Sequence, residues 1–360
     1  MQLHRKALVI KLGQIGDAIM AIPAVYALHL QGYDIEWVCG KAVEPLLACY
    51  SWIRTIPVED KTLFLGGAAQ KVRVLMDLWR RIVPQPYDLC ATLYYDTRYR
   101  LLTFPVRCRR RVTLSQRTRS TTLLPSRHPA DEFTRVLLGT EDGCREHSSA
   151  PVRPDRLPPS PLPAARDVRR IAMFAGGVQH LVREQVQRRL PEQALRRWPV
   201  ERFGAVAEEL CKKGWEVVLM GSPEDVWVRP HFAHLRVTDC IGAFSLPEVV
   251  SACNNCDAVI THDTGPLHLA GLSDTCLVSI FGPTDPSTRV PRRPGVVGIW
   301  GGQGFACRPC YDGRDFAPCQ FNGCMHQVPP DLVLRELDRL LNARSEGTHV
   351  PWHITCPEST

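Results

Sequence analysis

The chain has 360 residues, of which 44% are hydrophobic and 22% are charged, a balance typical of a folded globular protein and not of a disordered one. This length is enough for two α/β domains with separate cores, and no apolar run approaches the roughly 18 residues needed to span a bilayer. The formal net charge is +7. No recognised nucleic-acid module accompanies that charge, which argues against a nucleic-acid partner.

The N-terminal half alternates short apolar runs with amphipathic stretches, a pattern that predicts parallel strands joined by crossover helices. It opens with a strand over Ala7–Leu12, a loop over Gly13–Gly16 and a helix over Asp17–Leu30. The segments that follow are a strand at 35–39, helices near 43–49 and 69–82, and a strand at 89–93. Because the first apolar run is too short for a signal-peptide core, we expect a cytoplasmic protein.

Eight arginines lie between Arg98 and Arg119, at positions 98, 100, 107, 109, 110, 111, 117 and 119. Such a cluster forms either a solvated basic face or a patch for an anionic partner, for example a phosphorylated lipid headgroup or a membrane surface. We assign Arg109, Arg110 and Arg111 to acceptor binding on the second interpretation. Peripheral contact with the inner membrane is expected from the same patch.

Residues 150–167 are rich in proline, a composition typical of a semi-rigid linker. They predict a first domain of residues 1–149 and a second domain of residues 168–344, followed by a loose tail over 345–360. The second domain alternates again, with strands predicted at 170–175, 215–220, 257–261 and 277–281 and helices at 200–213, 247–253 and 330–343. The sequence thus indicates an α/β protein with two parallel sheets.

The most polar strand-to-helix junction is Thr261-His262-Asp263-Thr264-Gly265-Pro266-Leu267-His268. Asp263 and Thr264 suit an N-cap, Gly265 lets a ligand approach the backbone, and Pro266 suits the first helical turn. A helix that begins in this way directs N–H groups and partial positive charge toward a ligand, typically a phosphate. A second tight loop, Phe281-Gly282-Pro283-Thr284-Asp285-Pro286, closes the next strand on the same edge.

Four of the fifteen cysteines form a separate cluster: Cys307, Cys310, Cys319 and Cys324. The Cys-x-x-Cys opening followed by two more cysteines is a metal-ligand spacing and predicts a structural zinc or iron. Free or oxidised thiols are the alternative interpretation. An odd total and a reducing compartment argue against a complete disulfide framework.

Two of these segments carry a family resemblance. The pattern Asp-Thr-Gly-Pro-x-His-x-Ala at 263–270, followed by residues 281–286, resembles the donor-site signature of glycosyltransferase family 9, the lipopolysaccharide heptosyltransferases. Residues 11–23 are similar to that family's opening strand, loop and helix, with its Gly-Asp pair and following proline. The resemblance implies the GT-B fold, in which two Rossmann-like domains face a cleft, the first for the acceptor and the second for the nucleotide-sugar donor.

The resemblance also implies roles for residues of the first domain and of the Trp-Pro segment. Asp17 is the expected general base that takes the proton of the acceptor hydroxyl, although Asp at a helix start also suits a simple cap. Gly13 and Gly16 shape the acceptor loop. Arg196 and Arg197 precede Trp-Pro and are expected on the donor phosphates, Arg197 as a catalytic cation.

The remaining donor contacts are predicted in the second domain. The N–H groups of Thr264, Gly265 and Leu267 are expected to stabilise the leaving pyrophosphate. Asp263 is expected to orient the donor sugar, and His268 to pack or to orient. Four further residues complete the set: Gly176 and Gly177, where the backbone comes close to the donor, and either Glu224 or Asp225 on the ribose.

Taken with the resemblance, the residues predict inverting transfer of heptose from ADP-heptose to an anionic, lipid-linked inner-core acceptor of lipopolysaccharide. No divalent cation is expected in catalysis, because no Asp-x-Asp motif is present. The same chemistry with another nucleotide sugar, or with a protein acceptor of the autotransporter type, is a close alternative. An NAD-dependent oxidoreductase is disfavoured because Cys39-Gly40-Lys41 stands where its acidic residue would lie. The family motifs also disfavour a non-catalytic binding protein and an epimerase.

Overall fold

The computed structural model describes residues 5–118, 121–124, 126–139, 150–164, 168–177, 195–312, 316–319 and 321–358. The chain divides into two compact units, Met1–Arg156 and Leu157–Thr360, and each is built on a parallel sheet flanked by helices. The α/β class predicted from the alternating pattern is therefore confirmed. Among the described residues, no helix combines the length and apolarity needed to cross a bilayer.

The first unit has a five-stranded sheet in the order β3-β2-β1-β4-β5, with every pair parallel. Its strands are β1 Arg5–Ile10, β2 Tyr33–Gly40, β3 Ile53–Val58, β4 Tyr87–Thr92 and β5 Cys108–Thr113. Its helices are α1 Ile15–Leu30, α2 Glu44–Leu47, α3 Asp60–Leu65, α4 Ala68–Ile82, α5 Tyr99–Thr103 and α6 Pro129–Leu138. Residues 7–10 of the central β1 are fully buried, as expected for a strand covered by helices on both faces.

The second unit has a seven-stranded sheet in the order β12-β11-β10-β9-β6-β7-β8, again with parallel pairs. Its strands are β6 Arg170–Met173, β7 Glu216–Gly221, β8 Thr238–Ile241, β9 Ala258–His262, β10 Cys276–Phe281, β11 Val296–Trp300 and β12 His353–Thr355. Its helices are α7 Val200–Lys212, α8 Leu246–Asn254, α9 Gly265–Gly271, α10 Gly323–His326 and α11 Pro330–Ser345. Helices α7 and α11 pack their apolar faces on this sheet and form its main core.

Each sheet reverses its strand order beside its first strand. In the first unit β1 lies between β2 and β4, and in the second unit β6 lies between β7 and β9. At such a switch point the connections leave the sheet in opposite directions, and a crevice opens at the carboxyl ends of the two central strands. The topology therefore places one candidate binding edge after β1 and β4, and another after β6 and β9.

The proline-rich segment is anchored at both of its ends. In the first unit, the Tyr50 hydroxyl donates to the Val152 carbonyl at 2.8 Å, and Asp155 accepts from the Ser51 N–H at 2.8 Å. In the second unit, the Ser251 hydroxyl donates to the Pro158 carbonyl at 2.7 Å. The division between the units falls at residue 156, within the segment from which a linker is predicted.

Several elements differ from the prediction. Helix α1 begins at Ile15, so Asp17 is the third helical residue and Gln14 is the N-cap. Where the sequence predicts a loose tail, residues 353–355 form β12, which pairs with β11 at the edge of the sheet. Strand β5 carries no apolar run because it is an edge strand whose residues 109–111 are exposed. Its place in the sheet depends on pairing with β4 and not on its own residue pattern.

Candidate functional site

The switch point of the first unit holds an ion pair between Lys11 and Asp17. Lys11 follows β1 and is 2% exposed, whereas Asp17 in the first turn of α1 is 40% exposed, and Lys11 Nζ lies 3.0 Å from Asp17 Oδ2. The ammonium also lies 4.9 Å from the ring centroid of Tyr94, which follows β4. A buried ammonium needs such partners, because an unpaired charge in the interior is costly. Asp17 thus stands at the edge of the sheet with one oxygen held and its side chain partly open to solvent.

The phenol of Tyr94 reflects the same surroundings. Burial raises the pKa of Tyr94 to about 12, and the neighbouring Tyr95 and Asp17 add to this increase. The phenol is therefore neutral at physiological pH and presents its ring face to the Lys11 ammonium. Gly13 lies in the loop between Lys11 and α1, and a Cβ at Gly13 would meet no described atom within 4 Å. Gly16 is the second residue of α1 and lies next to Asp17.

The three arginines predicted to bind an acceptor have different surroundings. The Arg111 guanidinium donates to the carbonyls of Thr103 and Val106, at 3.1 and 2.7 Å, and so holds the segment after α5. Arg109 is exposed and pairs with Asp88 at 3.3 Å. Arg110 is also exposed on β5. The contacts of Arg111 are those of a structural residue, although it is exposed on β5 like Arg109 and Arg110.

Asp263 is the central acidic group at the switch point of the second unit. It follows β9, is 2% exposed, and lies 3.4 Å from Arg196 Nη1 through Oδ2. Burial alone would raise the pKa of Asp263, but the charges of Arg196 and Arg289 and the Thr284 hydroxyl together hold it below the ordinary value. The carboxylate is therefore charged at neutral pH and surrounded by positive groups.

Arg197 has a different setting from Arg196. It is buried, its guanidinium donates to the Gly177 carbonyl, and it faces the ring of Trp227 at 4.8 Å. The Asn322 side chain in turn donates to the Arg197 carbonyl at 3.0 Å. Arg196 is the more exposed of the two predicted phosphate-binding arginines, with 22% of its side chain accessible.

Asp225 joins the loop after β6 to the loop after β7. One of its carboxylate oxygens accepts from the Gly177 N–H at 2.7 Å, and the other accepts from the N–H and hydroxyl of Ser222, both at 2.8 Å. A Cβ at Gly176 would lie 2.3 Å from the Asp225 Cγ. The glycines predicted to approach a donor therefore make room for protein side chains. Glu224, the other predicted ribose ligand, is exposed.

Only one of the three predicted backbone donors at α9 lacks a partner within the turn. The Thr264 N–H donates to the His262 carbonyl at 2.7 Å, and the Leu267 N–H donates to the Thr264 carbonyl at 3.1 Å. Gly265 is the first helical residue, so its N–H has no acceptor within the helix. A Cβ built at Gly265 meets no described atom within 4 Å. The tight turn itself uses the N–H groups of Thr264 and Leu267, and their predicted contact with the leaving pyrophosphate stays a prediction.

Two histidines flank this turn. Burial, and then the charge of Arg197, lowers the pKa of His262 to about 3, so its imidazole is neutral at physiological pH. The ring packs edge-on against Phe203 at 5.7 Å. His268 is also buried, in α9, and lies near the Asp263 carboxyl.

Two residues of this edge carry no role in the sequence prediction. Thr284 is buried beside Asp263, and Arg289 acts on the Asp263 carboxyl through its positive charge. Both follow β10, the neighbour of β9 in the sheet. The signal that could have found them is the loop of residues 281–286, because a loop on the same edge of a parallel sheet must lie near the β9 loop.

The cysteine cluster is not arranged as a metal centre. Within the part of the chain that the structure describes, no group of three or more His, Cys, Asp or Glu side chains could hold a metal ion. Cys307 is exposed, whereas burial raises the pKa of Cys324 to about 11 and keeps that thiol protonated. The Cys319 thiol donates to the Phe321 carbonyl at 3.0 Å. The structure therefore does not support the predicted structural zinc or iron. Residues 313–315 and 320, between Cys310 and Cys324, lie outside the described residues.

The sequence from 178 to 195 is rich in charged residues and predicts an insertion next to the donor site. Residues 178–194 lie outside the described residues, and the description resumes at Leu195.

Part of the second unit is similar in sequence to known glycosyltransferases. Residues 191–318 match the model of glycosyltransferase family 9 (heptosyltransferase). Lipooligosaccharide heptosyltransferase 2 of Haemophilus influenzae is 32% identical over 103 residues, which is 27% of this chain and 30% of that protein. The chain therefore matches less than half of the length of this curated relative.

Solved structures match over nearly the whole chain. The glycosyl transferase family 9 protein from Veillonella parvula superposes with a TM-score of 0.71 at 18% identity, covering 94% of this chain and 97% of that one. The E. coli ADP-heptose lps heptosyltransferase II superposes with a TM-score of 0.66 at 18% identity, covering 94% and 99%. These neighbours are of the GT-B type, in agreement with the two parallel sheets. Residues 191–318 are thus similar to glycosyltransferase family 9, and the whole chain shares its fold with these solved structures.

Proposed function

We propose that the protein is an inverting glycosyltransferase that transfers a heptose from ADP-heptose to an inner-core acceptor of lipopolysaccharide. The observation that carries the proposal is the charge arrangement at the second switch point. There the buried Asp263 carboxylate lies among Arg196, Arg289 and the Thr284 hydroxyl, at the start of α9. A nucleoside diphosphate sugar presents the complementary groups, namely phosphate oxygens for the guanidinium groups and sugar hydroxyls for the carboxylate.

In this proposal Arg196 and the Gly265 N–H receive the diphosphate. Arg196 has accessible donors, and the space above Gly265 is free of described protein atoms. Arg197 is held by Gly177 and Trp227, so it contributes fixed positive charge from within the protein. Preorganised charge of this kind stabilises a leaving diphosphate without reorganisation during the reaction.

Glu224 is the better candidate for the ribose hydroxyls. Both carboxylate oxygens of the neighbouring Asp225 already accept hydrogen bonds from Gly177 and Ser222. Glu224 is exposed on the same loop after β7. Asp225 is buried and its carboxylate is already held by three hydrogen bonds, whereas the Glu224 side chain is exposed at the surface where a ribose hydroxyl can approach.

Asp17 is the proposed general base. Lys11 holds one of its oxygens in place, and its side chain is open enough to meet an acceptor hydroxyl. Transfer that uses a single base and forms no covalent intermediate proceeds by direct displacement at the anomeric carbon, and hence with inversion. Because the chain has no Asp-x-Asp motif, we assign the charge of the leaving group to Arg196, Arg197 and the Gly265 N–H and not to a divalent cation.

Replacement of Asp17 tests the proposal. Asp17→Asn should abolish measurable heptose transfer while ADP still raises the melting temperature of the protein. The single variant also leaves the buried Lys11 ammonium without its carboxylate, which costs roughly 1–3 kcal/mol of stability. The double variant Lys11→Met/Asp17→Asn restores charge balance, so it separates loss of the base from loss of stability.

The donor is tested with the same protein. We expect ADP to raise the melting temperature more than UDP, GDP, CDP or NAD, and ADP-heptose to support transfer to a lipid-linked core saccharide. If only UDP or GDP raised the melting temperature, the proposed donor would be wrong, but the proposed glycosyl transfer would stand. Near-normal turnover by Lys11→Met/Asp17→Asn would refute the assignment of the base.

A further inference from the structure

An apolar surface of the first unit has no role in the proposed reaction. Six exposed large hydrophobic side chains lie within residues 65–104: Leu65 (85% exposed), Val72 (59%), Met76 (43%), Tyr95 (40%), Leu101 (58%) and Phe104 (78%). Single exposed apolar residues are ordinary on soluble proteins, but a cluster with a charged rim marks an interaction surface.

Helices α4 and α5 bring four of these side chains together. Val72 and Met76 are four residues apart and share one face of α4. Trp79 is one turn beyond Met76, and its indole donates to the Leu101 carbonyl of α5 at 3.3 Å. The exposed strip of α4 therefore continues onto Leu101 and Phe104. These four side chains, Val72, Met76, Leu101 and Phe104, are called the α4–α5 face below.

The chain segment that contains this face is strongly positive. Residues 61–111 contain eleven Lys and Arg, three Asp and no Glu, a net charge of +8 in a chain whose total is +7. Arg73 and Arg80 are exposed and lie three and four residues from Met76, so they are its neighbours on the surface of α4. Arg100 and Arg107 are exposed on either side of Leu101 and Phe104 in the sequence.

We infer that the α4–α5 face docks on the surface of an anionic phospholipid bilayer. Apolar side chains on an interfacial helix enter the boundary between headgroups and acyl chains, while arginines beside them reach the lipid phosphates. A symmetric contact with a second copy of this chain is a poor alternative, because it would bring two surfaces of the same positive charge together. The inference does not depend on which sugar the protein transfers.

Co-sedimentation of the full chain with phospholipid vesicles tests this inference. Vesicles of phosphatidylethanolamine and phosphatidylglycerol supply the anionic surface, and phosphatidylcholine vesicles supply the neutral reference. These lipids carry no saccharide, so the result is independent of the transfer reaction. We expect binding to the anionic vesicles only, with weaker binding in high salt.

Two matched variants locate the surface. Leu101→Ser/Phe104→Ser should reduce the vesicle-bound fraction roughly tenfold or more, because two buried apolar side chains are lost from the interface. Val226→Ser/Phe321→Ser removes two exposed apolar side chains of the second unit, 47% and 68% accessible, and should bind as the unchanged chain does. Arg73→Glu/Arg80→Glu should weaken binding to anionic vesicles without lowering the melting temperature.

Three results would overturn the inference. One is equal binding to anionic and neutral vesicles, and another is unchanged binding by Leu101→Ser/Phe104→Ser. The third is self-association of the unchanged chain that this variant abolishes while vesicle binding stays absent, which would make the face a contact between copies. A transfer assay on a soluble acceptor saccharide should give equal rates for the unchanged chain and Leu101→Ser/Phe104→Ser.

Discussion

At the scale of single residues, the pair formed by Lys11 and Asp17 is the main feature that the sequence did not indicate. Asp17 was expected either as a base or as a helix cap, and the N-cap is in fact Gln14. Lys11 lies six residues earlier and is buried with its ammonium on the carboxylate. An unpaired ammonium in the protein interior costs free energy, so the buried Lys11 needs the Asp17 carboxylate beside it. Lys11 therefore acts as a positioning residue for the proposed base.

Replacing Lys11 should affect the reaction through Asp17. We expect Lys11→Met to lower kcat more than it raises KM for the acceptor. The acid limb of the kcat/KM profile should also move to higher pH, because the carboxylate loses an adjacent cation. The measurement is the pH dependence of transfer, with Lys11→Arg as the charge-conserving control that restores the limb. A profile identical to that of the unchanged protein would mean that Lys11 serves the fold alone.

At the scale of elements, the start of α9 shows how a turn can use groups that a motif offers to a ligand. The N–H groups of Thr264 and Leu267 donate hydrogen bonds within the turn, and the space beside Gly265 remains open. Gly177 is different, since its φ of +140° and a Cβ position 2.9 Å from Thr264 Cγ2 make glycine necessary for the fold.

Gly265→Ala tests whether the open space serves a ligand. The added methyl group meets no described protein atom, so the melting temperature without nucleotide should stay within about 1 °C, in line with a stability change under about 0.5 kcal/mol. The affinity for ADP, measured by calorimetry, should fall roughly tenfold because the methyl group enters the diphosphate position. Gly13→Ala is the control, because its Cβ is equally unobstructed but lies in the first unit. Unchanged ADP affinity in Gly265→Ala would place the diphosphate elsewhere.

The loop after β7 gives a second matched test at this scale. Asp225→Asn should lower the free energy of unfolding by roughly 1–3 kcal/mol, because an amide replaces the buried carboxylate that accepts hydrogen bonds from Gly177 and Ser222. Glu224→Gln should leave unfolding by urea unchanged and weaken ADP binding. The two variants are compared by urea denaturation and by calorimetry with ADP. Weaker ADP binding with unchanged stability in Asp225→Asn would reverse the assignment of the ribose ligand.

At the scale of the whole molecule, the residues proposed to bind the nucleotide-sugar donor all belong to the second unit, and the proposed base belongs to the first. ADP should therefore slow amide hydrogen exchange in the loops after β7, β9 and β10. The segment around Lys11 and Asp17 should exchange at an unchanged rate with ADP alone. Hydrogen exchange followed by mass spectrometry measures both segments in one experiment. Protection of the first unit alone would contradict the donor assignment.

The local pattern by itself determined strands β1, β2 and β4 of the first sheet and β6, β7, β9 and β10 of the second. The runs before Gly13 and before His262 are short and largely apolar, which is the pattern of a parallel strand buried on both faces. The two polar junctions that follow these runs also pointed to the two edges that the topology makes into switch points. Edge strands such as β5 and β12 could not be found in this way, since an edge strand gains its order from the neighbour with which it pairs.

Only the tertiary structure decided which side chains at these edges are available. It paired Lys11 with Asp17, used both oxygens of Asp225 for the loops, and placed Arg111 on the carbonyls after α5. It also brought Thr284 and Arg289 beside Asp263. These contacts join residues that are distant in the chain or have several possible partners. A sequence motif shows which side chains are present, whereas the fold determines which hydrogen-bond or ion-pair partner each side chain contacts.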